Sequence, residues 1–173
     1  MPRKPPSFAE WLIVVGSCLF IFVLGLSACL EPDIRWLHFL QAWMYLAAIT
    51  LSLRHNRWGY FIGFSAAALW DYISLFVTTF LKSGWHWMVV SIDSGQLQRL
   101  DQIVSVPGWI GNFLVVIGST WAYTQLSDKR WSDAGRLALS FVLTTGFFAA
   151  AMATCQPRYL PLFPRMLHPH APW

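Results

Sequence analysis

Apolar runs long enough to cross a bilayer alternate with short polar breaks along this chain. The alternation predicts five membrane-spanning helices at residues 11–30, 34–53, 58–81, 108–126 and 134–154. The breaks are Glu31-Pro32-Asp33, the turn Arg54 to Arg57, and the turn Ser127 to Arg130. Such short connections make neighbouring helices antiparallel. The longest connection lies between Lys82 and Pro107. Its first part, with Trp85, Trp87 and Met88, has the composition of the headgroup layer. Asp93 and Gln96 resemble a capping pair, and Leu97, Leu100, Ile103 and Val104 follow at helical spacing. Residues 85–106 are therefore expected at the membrane surface and to contain one short interfacial helix, which Pro107 and Gly108 end as they open the fourth span. The predicted fold is an all-α, polytopic integral membrane protein whose residues 1–173 form a single domain.

Within this pattern the polar residues fall on faces. Asp71 lies near the middle of the third run, on a stripe with Gly59, Gly63, Ala67, Ser74 and Thr78. An intramembrane carboxylate is costly to expose to lipid, so the stripe should face another helix. On the second run His38, Gln41, Tyr45, Ala48 and Ser52 share a face. In a hairpin turning near Asn56, Gln41 is level with Asp71 and His38 sits one turn outward. This predicts an intramembrane polar cluster of Asp71, His38, Gln41, Tyr45, Ser74 and Thr78, with Asp71 partnered by Gln41 and His38 rather than by the fifth helix. The small residues Gly59, Gly63 and Ala67, with Gly111 and Gly118 on the fourth run, read as helix-packing faces.

Composition supports the membrane assignment. The chain is 56% hydrophobic and 12% charged, against about 25% charged for an ordinary soluble domain. Its 11 Trp suit aromatic belts. The net charge of +4 resides in connections and tails, with no basic face for a nucleic acid. With the N-terminus inside, Arg3, Lys4, Arg54, Arg57, Lys129, Arg130 and Arg136 are cytoplasmic, against Arg35, Lys82, Arg99, Arg158 and Arg165 outside. That bias places the C-terminus outside, in a membrane of the bacterial inner type.

Candidate chemistry is sparse. Leu26-Ser27-Ala28-Cys29 matches a lipoprotein processing site, but the four runs behind it favour a spanning helix with a free Cys29. Cys29 and Cys155 would then share the outer face, where a disulfide is possible, while Cys18 is expected in the core. His168-Pro169-His170 falls short of a metal ligand set, and His38 has no second intramembrane histidine for haem. No cofactor or metal is expected. The sequence points first to a small non-catalytic membrane protein that packs with other transmembrane helices, its own or a partner subunit's, within the lipid bilayer. The second reading is a small proton- or cation-linked permease or channel using Asp71; the third is an intramembrane enzyme.

Overall fold

The structure is a computed structural model that describes residues 5–167, and within them every regular element is helical. Arg3, Lys4, His168 and His170 lie outside the described residues. Four helices are long and apolar enough to cross a membrane: Phe8–Leu30, Arg57–Val77, Leu100–Thr124 and Ser132–Cys155.

Helix α1 (Phe8–Leu30) starts at a capping box in which Ser7 and Glu10 satisfy each other's backbone N–H groups. A 3-10 turn at Pro32–Ile34 reverses the chain into α2 (Arg35–Ser52). Asn56 then caps α3 (Arg57–Tyr72), its side chain accepting the Trp58 N–H at 3.0 Å.

The third run does not continue as one helix to Leu81. A π turn at Ile73–Val77 is closed by Thr78, whose N–H and hydroxyl both donate to the Ile73 carbonyl, at 2.9 and 3.1 Å. Thr78 is extended, and its hydroxyl accepts the Phe80 N–H at 3.4 Å as the next helix begins. A threonine that binds its own backbone competes with the helix, and hydropathy does not register this because Phe80 and Leu81 remain apolar. Asp71 therefore lies next to the end of the regular helix α3, about one turn past the centre of the Arg57–Val77 span.

Helix α4 (Phe80–Ser94) occupies the segment expected at the surface and ends at Gly95, in the left-handed conformation with φ 66. Asp93 and Gln96 thus flank a helix end instead of capping a start. The short α5 (Leu100–Ile103) leads directly into α6 (Ser105–Thr124), and Pro107 sits in the first turn of α6 instead of separating two elements. Helix α7 (Ser132–Cys155) follows, then a 3-10 turn and α8 (Leu162–Leu167).

Helices α1, α2, α3 and α6 close into a ring in which each packs on two others, and α7 lies outside against α3 and α2. The α1–α6 seam is the closest. A Cβ at Gly16 would stand 2.5 Å from the Gly111 carbonyl oxygen, and one at Gly118 would stand 2.8 Å from the Ala9 carbonyl oxygen. Backbones approach this closely only where side chains are missing. On the α2–α3 seam Gly59 faces the Ser52 backbone and Gly63 lies under Ala48, Val115 and Ser119. Ala67 is fully buried in the same core as Ile13, Ala48 and Val115. All five small positions singled out in the sequence are consumed inside the chain, so they are not an argument for a partner helix.

Cys18 is a correction: it is exposed on the outer side of α1, where the neighbouring Val15 and Phe22 also point outward. Helix α1 is too thinly covered for every apolar position to be core. Cys18, Cys29 and Cys155 are all free thiols.

Candidate functional site

The inner face of α2 carries polar groups because its helical spacing aligns His38, Gln41, Tyr45 and Ser52, all of which are buried. Its opposite face carries Trp36, Phe39 and Trp43, exposed and edge-on to one another. The polar face of α2 is thus turned into the bundle and its aromatic face away from it.

Tyr45 reaches across the ring and donates its hydroxyl to Asn112 Oδ1 on α6, at 2.7 Å. Its ring rests on Phe20 of α1, with centroids 4.5 Å apart. Asp71 of α3 comes to the same place. Its side-chain hydrogen-bond neighbour is Asn112, and its Oδ1 has no partner.

The expectation that Gln41 and His38 hold Asp71 is thus corrected. Side chains on a helix lean toward its N-terminus, which tilts the Asp71 carboxylate toward the depth of Tyr45, one turn away from Gln41. His38 instead faces the Leu24 carbonyl of α1. Its Nδ1 and the Gln41 Oε1 are buried without partners. Ser74 stays close to this region, whereas Thr78 binds its own backbone.

Above these groups a cleft of about 240 Å³ opens between the C-terminal end of α1 and the N-terminal ends of α2 and α6. Phe20, Leu24 and the rings of Trp70 and Trp109 wall it, the two indole N–H groups being buried donors without partners, while His38, Gln41 and Asn112 form a polar floor. Asp71 stands behind Asn112. Glu31, Asp101 and Gln102 rim the mouth. Arg99 holds Asp101 through a two-pronged ion pair at 3.1 and 2.9 Å, which raises the basicity of its own guanidinium. Chemically, the floor offers hydrogen-bond acceptors and the walls two indole donors, and at the mouth Arg99 pairs with Asp101 beside the carboxylate of Glu31.

Sequence reasoning missed three groups. Asn112 is the one amide in the interior of the fourth run, Gln125 lying at its end, and was legible as such, but the glycines beside it drew the face assignment. At the opposite end of the bundle Glu10, 2% exposed, accepts the Tyr60 hydroxyl at 2.6 Å and bonds to His55 Nδ1 at 2.8 Å. The Ser7-x-x-Glu10 spacing is that of a capping box and carries no sign of the knot. Asp133, before the fifth run, is buried and ties α7 to α3: it accepts Arg57 and Arg136 at 2.9 Å each and the Arg130 N–H at 3.0 Å. No protein-family model, curated protein or solved structure matches this chain.

Proposed function

We propose that this chain is a non-catalytic membrane protein that admits a small, largely apolar molecule bearing a hydrogen-bond donor, in the manner of a small proton- or cation-linked permease. The cleft floor carries the proposal. Gln41 Oε1 is an acceptor without a partner beneath aromatic walls, and Asp71, whose Oδ1 is likewise unpartnered, stands behind Asn112. A buried acceptor left without a partner costs free energy that a donating ligand recovers. The Glu31 carboxylate at the rim favours cationic donors such as amines.

The same reading takes α2 as a fifth span, in a membrane of the bacterial inner type with the N-terminus inside. Helix α2 has 18 residues, about 27 Å of rise, and its outer face is aromatic. Its mean hydropathy is lowered by the polar face that lines the site, not by exposure to water. The bias of basic residues toward the other end of the bundle supports a cleft mouth on the outside.

The test uses a compact amine, 1-aminoadamantane, and its isostere 1-methyladamantane, which lacks the donor. Binding is read as thermal stabilisation in mild detergent and as a change in tryptophan emission, since Trp70 and Trp109 line the cleft. Stabilisation by the amine that exceeds the isostere and is lost in Gln41→Leu supports the proposal. Equal effects of the two compounds, or an undiminished response in Gln41→Leu, would exclude a role for the floor.

A further inference from the structure

A second concavity, of about 550 Å³, lies at the other end of the bundle between α3, α6 and α7. Phe61, Phe64 and Leu137 wall it with apolar surface, and Ser119, 2% exposed, lines it with a hydroxyl that has no partner. Its rim is the turn between α6 and α7, with Lys129, Arg130 and Trp131.

The charges at this rim do not cancel. Asp133 is held by Arg57 and Arg136, and Asp128 is paired with Arg57. Arg130 stands 4.0 Å from Asp128 and is 65% exposed. Lys129 donates to the Thr124 carbonyl at 2.8 Å and lies 6.0 Å from the Tyr123 ring, which orients its ammonium along the rim without a carboxylate. Four basic and two acidic side chains leave an excess of two positive charges where the turn meets the headgroup layer. Trp131, 98% exposed, is the residue type that settles in that layer.

We infer that this groove binds one anionic phospholipid, its phosphate at Lys129 and Arg130 and an acyl chain between α6 and α7. Charge complementarity selects the headgroup, because a basic pocket between transmembrane helices at the membrane surface favours an anionic lipid over a zwitterionic one. The apolar walls continue from that rim along the helices, in the direction an acyl chain takes. This site is separate from the cleft around Gln41, and it does not depend on which membrane face the turn occupies.

The experiment is native mass spectrometry of the full chain in mild detergent, titrated with phosphatidylglycerol, phosphatidylcholine or inorganic phosphate. Phosphatidylglycerol should be retained at a stoichiometry of one, and the other two should not. Neutralising both cations in Lys129→Gln/Arg130→Gln should weaken retention roughly thirtyfold, at about 1 kcal/mol for each basic group. Arg35→Gln, at the opposite end of the bundle, should change nothing. Leu137→Trp, which fills the groove and leaves the charges, should also weaken retention. Equal retention of the two lipids, or full retention by the double variant, would overturn the inference. Competition by inorganic phosphate at matching concentration would reassign the rim to a free anion and remove the lipid.

Discussion

Tyr45 and Asn112, on helices 67 positions apart in sequence, meet through a buried hydrogen bond of 2.7 Å that closes the ring between α2 and α6. The bond orients the Asn112 amide so that its carbonyl is occupied by Tyr45 and its NH₂ is turned toward Asp71. Removing the hydroxyl in Tyr45→Phe leaves an acceptor buried without its donor. Within membranes such bonds contribute about 0.6 kcal/mol on average and up to about 1.7 kcal/mol. A double-mutant cycle of Tyr45→Phe and Asn112→Leu, followed by unfolding in mixed micelles, is expected to return a coupling in that range. Strict additivity would mean that the bond contributes nothing to holding the ring together.

The glycines divide sharply by location. A Cβ at Gly111 would meet the Gly16 carbonyl oxygen at 2.9 Å, whereas one at Gly146 of α7 has nothing within 4 Å. Gly111→Val is expected to lower the unfolding temperature by overpacking, at a cost of about 1–3 kcal/mol. Gly146→Val should leave it within experimental error or raise it slightly. Because the seam is internal, Gly111→Val should unfold the monomer without first dissociating an oligomer, which size-exclusion chromatography with light scattering reads directly.

Hydrophobic patterning made the helical class and four of the spans legible, because length and apolarity are properties of single segments. The inner face of α2 was legible too: His38, Gln41, Tyr45, Ala48 and Ser52 share a stripe by spacing alone, and all are buried. What failed was local hydrogen bonding and three-body geometry. Nothing in the hydropathy of Phe80 and Leu81 announces that Thr78 will turn its hydroxyl onto the Ile73 carbonyl. A hairpin argument also treats α2 and α3 as a pair, although the neighbour that decides the surroundings of Asp71 is Asn112, on a helix that returns through the long 82–107 connection. The Glu10 knot with Tyr60 and His55 likewise joins α1 to the start of α3. No spacing rule within one helix reveals such a contact.

The proposed fifth span gives a topological prediction. If α2 crosses, the turns on either side of it lie on opposite membrane faces. In a background with Cys18, Cys29 and Cys155 replaced by Ser, a cysteine at Arg54 should react with a membrane-impermeant maleimide only after the membrane is opened. One at Asp33 should react in intact cells. Labelling of both positions from the same side would make α2 a helix packed within the bundle that does not traverse it.

Asp71 supplies the sharpest separation of structure from function. Its carboxylate lies behind the cleft floor with Oδ1 unpartnered, so Asp71→Asn preserves size and the contact with Asn112 while removing negative charge. Asp71→Ala removes both. A role confined to fixing helix register predicts that Asn is equivalent to wild type in stability and in amine binding, and that Ala is defective in stability. The proposed role in admitting a cationic donor makes a different prediction. Asp71→Asn should unfold at the wild-type temperature yet lose most of the stabilisation by 1-aminoadamantane, because the negative charge behind the floor that favours an ammonium is gone. The response to 1-methyladamantane should be unchanged, since the apolar walls remain intact. A variant that keeps both stability and the full amine response would remove Asp71 from the site and leave Gln41 and Asn112 as its floor.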